Sequence, residues 1–556
     1  MFVLRRVQDY LRGFPLPGLV GAGLIFAMSL APSLIPRDPI IQGALSGLSA
    51  VIGFWLGLLL IWLWNFMQIP RLSDGPARIA RIFTSIFTIV ALAYAVWKGA
   101  EWQDSLRLFL NLDPLEKIYS PIVLLVAIPT ALVLREIGRA IFWIIKGISN
   151  LLDHILPRRV SQVFGILLAG ILLTQLALGT IGRLALESLD EMFLAIDQLI
   201  DDDVVAPTHD LTTGSSSSLI SWRNLGRQGR RFVASGPDQD EIAGFHESAA
   251  LRPIRVYVGL GAAETPEQRA DLALNEMKRV GAFDRSVLVI ATPTGTGWID
   301  EAAVDPLEYL HRGDTAIVAQ QYSYLTSYVS ILVEPGYATA SAKALFNAVY
   351  NHWKQLPVTD RPKLYLQGLS LGSSGSEQSM NLYQVLGDLI DGAVWSGPPF
   401  TNPNWAFFTE ARNPESPFWL PEFDNGSLVR FTNQRNALEI PGARWGPMRL
   451  VYLQYASDPI TFFSTELFYQ EPSWLIGERG PDVSPDLEWI PIVTGLQVAF
   501  DMIGASAIGP GLGHLYAASH YIDSWIAVTE PEGWTEAEIE RLKSHFKGKE
   551  KLRLFD

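Results

Sequence analysis

Hydrophobic residues cluster toward one end of this chain. Five apolar stretches occupy the N-terminal third, at about 16–36, 41–66, 79–98, 119–145 and 160–182, each near the ~20 residues a helix needs to cross a bilayer. The second, GALSGLSAVIGFWLGLLLIWLWNFM, carries no charge, whereas Arg135, Glu136 and Arg139 interrupt the fourth. Trp62, Trp64, Trp97 and Trp143 stand near stretch ends, where interfacial anchors belong. Buried helices of a soluble core fit five successive runs of this kind poorly. A cleaved signal peptide fits poorly too, because more spans follow the first stretch. Residues 184–200 (LALESLDEMFLAIDQLI) repeat apolar positions at helical spacing and predict an amphipathic connector. The run TTGSSSS at 212–218 has the composition of a flexible linker.

From about 254 the period changes. IRVYVGL (254–260), SVLVIA (286–291), TAIVAQ (315–320), KLYLQG (363–368), GAVWSG (392–397) and RLVYLQY (449–455) predict short buried strands. PEQRADLALNEMKRV and SAKALFNAVYNHWKQL, lying between them, read as helices. Such alternation predicts a mainly parallel sheet covered by helices. The expected division is a transmembrane helical region at 1–184, a connector and linker at 185–235, and an α/β domain at 236–556.

Composition sharpens this picture. Charged residues make up only 18%, against about 25% in soluble domains. A net charge of −14 argues against nucleic acid as a partner. The absence of Cys excludes disulfides, thiolate metal sites and cysteine nucleophiles. No HExxH, EF-hand or P-loop pattern occurs, so neither metal nor cofactor is expected. The span centres lack Asp, Glu and His, which gives a transporter or channel little support.

Basic residues set an orientation. Arg5, Arg6 and Arg12 precede the first stretch; Arg71, Arg78 and Arg81 separate the second and third; Arg135, Arg139, Lys146, Arg158 and Arg159 flank the turn from fourth to fifth. Acidic residues follow the fifth, from Glu187 to Asp203. With an odd number of crossings, this places the N-terminus in the cytoplasm and the C-terminal domain outside it. Arg223, Arg227, Arg230 and Arg231 then cluster beside aromatics, as a patch for anionic lipid headgroups or as a salt-bridged surface segment.

One stretch carries chemistry. KLYLQGLSLGSSGSEQSMNLYQVL runs a strand into Gly368-Leu369-Ser370-Leu371-Gly372 and then into a helix pattern. That is the context of a nucleophile elbow, in which a strained turn lifts a serine to the N-terminus of a helix. A serine needs a base. In the chain order serine, acid, histidine, only His514, His520 and His545 come late enough. His514 lies in a glycine-rich loop (GPGLGHLY) suited to delivering an imidazole, His520 is the fallback, and His545 sits in a charged tail that reads as solvated surface. Asp458, in YASDP just past a strand, suits the acid that orients the imidazole; Asp501 is the alternative in a helix-like setting. The oxyanion hole is expected from the Leu371 amide and one from TPTGTGW (292–298), supplied by Thr294, Gly295 or Thr296. Aromatic-rich segments at 321–328 and 403–420 read as a lid or acyl pocket, or as ordinary core.

These residues together resemble a family of bacterial membrane-anchored α/β-hydrolases that join an N-terminal multi-span region to a C-terminal hydrolase domain. The matching segments are RQGRRFVASGP, PIRVYVGL, RVGAFDRSVLVIATPTGTGWID, GDTAIVAQQYSYLTS, RPKLYLQGLSLGSSG, WSGPP, YLQYASDPI and GPGLGHLY. The resemblance implies Ser370 as nucleophile with Asp458 and His514 completing a triad. It departs at Leu369, where a glutamate is expected before the serine. The resulting expectation is a multi-pass cell-membrane serine hydrolase acting on lipid or small acyl esters, with membrane lipids as neighbours. Acyl transfer to a cell-envelope acceptor, or a hydrolase fold that only binds, are the competing readings.

Overall fold

A computed structural model of the chain describes residues 13–70, 73–176, 179, 182–325 and 336–553. It divides into two compact units. One comprises Met1–Leu186 with Phe463–Ile476 and Asp482–Ile508; the other comprises Glu187–Phe462 with Gly477–Pro481 and Gly509–Asp556. Arg5, Arg6, Arg12 and Arg71 of the orientation pattern lie outside the described residues.

The first unit is helical: α1 (Leu16–Ser29), α2 (Pro39–Phe66), α3 (Asp74–Phe109), α4 (Tyr119–Leu152) and α5 (Arg158–Thr174). Among the described residues three helices, α2, α3 and α4, are long and apolar enough to cross a membrane, against the five predicted. The 14 residues of α1 reach only ~21 Å at ~1.5 Å per residue, short of a ~30 Å hydrocarbon core. The 17 residues of α5 reach ~26 Å and begin with two arginines. α1 is shorter than its apolar run; the fifth run continues helically past α5 at 175–176 and then through positions 177, 178, 180 and 181, which lie outside the described residues. The outward surface of α3 is apolar, with Phe83, Ile86, Phe87 and Ile89 exposed, as lipid contact requires.

Close helix contact rests on missing side chains. A Cβ on Gly21 of α1 would stand 2.2 Å from the Gly53 carbonyl of α2, and one on Gly53 would stand 2.1 Å from the Gly21 carbonyl. Small residues let backbones approach where no hydrophobic force drives helices together. Arg135, which interrupts the fourth stretch, is accommodated in α4: its guanidinium lies 3.8 Å from the Phe14 ring centre and donates to the Gly13 carbonyl at 2.7 Å. The apolar helix Val493–Gly504 packs against α1 and α2 within this unit. Its Gln497 donates to the Ala31 carbonyl at 2.8 Å, and its Asp501 takes the Nε–H of Arg37 at 2.6 Å.

The second unit is built on seven parallel strands: β1 (Ile254–Val258), β2 (Val287–Thr292), β3 (Thr315–Gln320), β4 (Lys363–Leu369), β5 (Gly392–Ser396), β6 (Val429–Thr432) and β7 (Arg449–Leu453), in the order β1-β3-β2-β4-β5-β7-β6. Their residues are almost all buried, as strands covered on both faces must be. Helices Pro266–Arg279, Glu301–Leu310, Tyr337–Trp353 and Leu371–Ser379 make the successive crossings from β1 to β5. Six strands fall where the alternation predicts them. β6, four residues of VRFT at the sheet edge, was not anticipated, because so short a run shows no period.

The predicted linker is pinned rather than flexible. Thr213 is fully buried, and the buried carboxylate of Glu276 accepts from the Ser218 hydroxyl at 2.6 Å and the Leu219 amide at 3.0 Å. The arginine cluster is largely spent on the acidic connector. Arg227 and Arg231 bind Asp201 at 2.8 and 2.7 Å, and Arg230 donates to the Asp197 carbonyl at 3.0 Å. His545 is also not a solvated tail residue; its ring lies among Phe245, Tyr309 and Phe546.

Candidate active site

Because every strand runs the same way, the residues after β2, β4, β5 and β7 gather along one edge of the sheet, the edge where open α/β folds bind ligands. Ser370 stands at the end of β4, in the middle of that edge. It has φ +57° and ψ −125°, a conformation that side chains other than glycine seldom adopt. Two close approaches hold it there. A Cβ on Gly368 would lie 2.3 Å from the Gly372 carbonyl oxygen, and one on Gly372 would lie 2.2 Å from the Thr292 oxygen. The elbow therefore needs glycine on both sides, and it presses directly on the loop after β2. The Ser370 amide donates to the Ser396 carbonyl at the end of β5, 3.0 Å away.

Asp458 lies just past β7, fully buried. Its Oδ1 accepts from the Ile460 amide at 2.9 Å; its Oδ2 meets His514 Nδ1 at 2.7 Å and accepts from the Tyr516 hydroxyl at 2.7 Å. An ionised carboxylate can only accept, so Nδ1 carries the imidazole proton and Nε2 is left with a lone pair. That Nε2 is buried with no hydrogen-bond partner among the described residues. Burial and the neighbouring Asp458 carboxylate push the Tyr516 phenol well above its ordinary pKa, so it remains a donor.

The histidine loop depends on glycine as well, with Gly509, Gly511 and Gly513 all at positive φ. The Gly513 amide is tied to the Ser457 hydroxyl at 3.0 Å. A Cβ on Gly397 would stand 2.5 Å from His514 Cε1. Thus the Ser396–Gly397 dipeptide touches both partners: its first carbonyl takes the Ser370 amide and its second residue abuts the imidazole. Asp458 and His514 are hydrogen-bonded, and Ser370 stands on the same edge of the sheet, joined to the imidazole through Ser396–Gly397 rather than by a hydrogen bond from its own hydroxyl; each is less than a tenth exposed.

The alternatives go elsewhere. His520 bonds through Nδ1 to the Tyr455 hydroxyl at 2.6 Å, and burial pulls its pKa down to about 4. Asp501 belongs to the helical unit and is engaged with Arg37 and Ser33. In the loop after β2, the Thr294 amide donates to the Trp298 carbonyl at 2.9 Å, closing a turn, so that donor is occupied. Leu371 begins the helix Leu371–Ser379, where its N–H has no acceptor within the helix. Of the aromatic segments, 403–420 is partly core, with Trp405 and Trp419 buried and Phe407 exposed; positions 326–328 of the other lie outside the described residues.

Comparison with known families adds the deciding observation. Residues 254–542, more than half of the chain, match the model of an alpha/beta-hydrolase family, and residues 30–237 match the model of that family's N-terminus. The chain belongs to this alpha/beta-hydrolase family. No curated protein and no solved structure matches it. The hydrolase match covers β1 to β7 and all three of Ser370, Asp458 and His514. The N-terminal match takes in α2 to α5 whole, so the helical segment is itself a recurrent part of such hydrolases.

Three contributors were not singled out from sequence. Tyr516 shares the Asp458 carboxylate; Ser457 anchors the histidine loop; Ser396–Gly397, within the WSGPP segment, links nucleophile to base. Tyr516 stands two residues from His514, which is the only signal a sequence offers for it.

A fourth, Glu377, lies beneath the elbow on its helix and is 1% exposed. It accepts from the Tyr452 hydroxyl at 2.6 Å and the Asn404 amide at 2.9 Å, yet burial pushes its pKa up to about 7. Between the unfolded value of about 4.3 and about 7, the folded protein holds a proton that the unfolded chain has lost, so stability falls as pH rises. Melting temperature measured at pH 5 and pH 8 is expected to drop less in Glu377→Gln than in the parent protein. Parallel drops in the two proteins would contradict this.

Proposed function

We propose that the chain is a serine hydrolase that cleaves acyl or lipid esters through an acyl-enzyme on Ser370. The observation that carries this reading is the His514–Asp458 pair, which holds the imidazole by Nδ1 and leaves a buried, unpartnered Nε2 at the strained serine's edge of the sheet. Ser370 Oγ attacks the ester carbonyl while its proton passes to His514 Nε2. Asp458 keeps the Nδ1 proton in place and stabilises the imidazolium. The negative charge on the carbonyl oxygen meets the Leu371 amide, with the Gly295 or Thr296 amide as second donor now that Thr294 is engaged in its turn. The ester C–O bond then breaks, and the alcohol leaves with the proton from Nε2. Water, deprotonated by the same nitrogen, attacks the acyl carbon and releases the acid and Ser370.

A burst experiment tests this. The purified full chain, given p-nitrophenyl acetate, butyrate and laurate, is expected to release one nitrophenol per protein rapidly and then turn over steadily. Partition of the acyl group to an added alcohol in preference to water would favour the transferase reading. No burst and no turnover with any of the three would contradict the proposal.

For location we propose a multi-pass membrane protein with the hydrolase unit outside the cytoplasm. Support comes from Arg78 and Arg81 in the first turns of α3, Lys146 in the last turns of α4, and Arg158 and Arg159 at the start of α5, all then cytoplasmic; the hydrolase unit lies outside when the fifth apolar stretch, from 160 to 182, makes one further crossing beyond the three span-length helices. The chain has no Cys, so single cysteines can be introduced without background. Cysteines replacing exposed residues of the hydrolase unit should react with an impermeant maleimide on intact cells. Protection there, with labelling after lysis, would reverse the assignment.

A further inference from the structure

At one end of the helical unit the chain turns twice, from α1 to α2 through residues 30–38 and from α3 to α4 through residues 110–118. The two turns and the helix Val493–Gly504 together line a cavity of about 320 Å³. Its polar lining is unusual in what it lacks. Arg37 is 3% exposed; its Nε donates to Asp501, its Nη1 to Gln42, and its Nη2 has no partner among the described residues. Tyr119 is 5% exposed, and among the described residues its hydroxyl has no partner either. Arg107, held through Nε on the Asp113 carbonyl, brings a second guanidinium.

Buried donors without acceptors are rare, because each forfeits its hydration. The two acids in the lining are already committed. Asp501 binds Arg37 and Ser33, and Asp38 accepts from the Ile40 amide at 2.8 Å as the cap of α2. The N-terminus of α4, where Tyr119 sits, has no side-chain cap, so the helix dipole adds to the positive side. What the cavity needs is an acceptor, and a charged one suits it best. The rest of the wall, including Ile35, Ile41, Leu112, Leu115 and Phe500, is apolar. All this stands where α2 and α4 begin and α3 ends, the three helices that can span a bilayer, and therefore at headgroup depth.

We propose that this cavity binds the anionic head of an amphiphile. A phosphate or carboxylate accepts from Arg37 Nη2, the Tyr119 hydroxyl and Arg107, and its hydrocarbon runs along the apolar wall. The site is separate from the chemistry assigned to Ser370 and does not depend on it.

The test uses the full chain in a neutral maltoside detergent, with dodecyl phosphate, dodecanol and inorganic phosphate as probes and thermal stability as the readout. Dodecyl phosphate is expected to raise the melting temperature saturably. Tyr119→Phe, which removes one hydroxyl, and Arg107→Gln should each raise the half-saturating concentration about tenfold, the weight of one charge-assisted hydrogen bond. Ser370→Ala should bind as the parent does. If Tyr119→Phe alone unfolds the protein, Arg107→Gln, on a half-buried residue, still decides. Stabilisation by inorganic phosphate at the same concentrations, with the same dependence on the variants, would make this a free-anion site and overturn the headgroup assignment. Equal stabilisation by dodecanol, or variants that bind like the parent, would overturn the proposal.

Discussion

Replacing Ser370 by alanine is expected to lower ester turnover by about 10⁶-fold, the scale on which removing an activated triad serine acts. The loss should fall on kcat, with melting temperature little changed, because alanine retains the Cβ that the strained position already tolerates. The elbow itself is held by Gly368, Gly372 and the Ser370 amide on Ser396 rather than by the hydroxyl. Steady-state kinetics and a thermal melt check both statements. Undiminished turnover in the variant would remove Ser370 from the chemistry.

Asp458→Asn should cost less but still heavily, about 10⁴-fold in kcat, with the fold again intact. Asparagine keeps an acceptor for the Ile460 amide or the Tyr516 hydroxyl, but its NH₂ group would donate to His514 Nδ1. The imidazole proton then moves to Nε2, and the base can no longer take a proton from serine. Because serine and acid act as one device, the double variant Ser370→Ala, Asp458→Asn should be no slower than Ser370→Ala alone. Losses that multiply would mean that Asp458 acts by some other route.

The hydrolase half was largely legible because its signals are local. A buried parallel strand announces itself by a short apolar run, and six of seven did; VRFT at the sheet edge is too short to show one. Ser370 is marked by its own neighbours, since the glycines at 368 and 372 are demanded by contacts that recur wherever a strand turns so sharply. Asp458 and His514 followed from chain order and loop composition, and the structure brings them to 2.7 Å of one another.

What stayed hidden is tertiary. Nothing in LQVAFDMIGA says that this apolar helix packs on α1 and α2 rather than on the sheet, and the partner of Asp501 lies more than four hundred residues away. Apolar runs overstate spans for a related reason. The stretch 16–36 is apolar to its end, but α1 stops at Ser29, and the chain then turns to set Ser33 and Arg37 on Asp501. TTGSSSS has the composition of a tether, yet small polar residues suit a tight, hydrogen-bonded turn around Glu276 equally well.

The central claim is that Ser370 is an activated nucleophile. Its most direct test is to treat the purified chain with a fluorophosphonate and to locate the adduct by peptide mass spectrometry. A single adduct on Ser370 is expected, absent in Ser370→Ala and greatly slowed in Asp458→Asn. A folded sample that stays unlabelled, while a known esterase reacts beside it, would contradict that claim and leave the fold as a binding module.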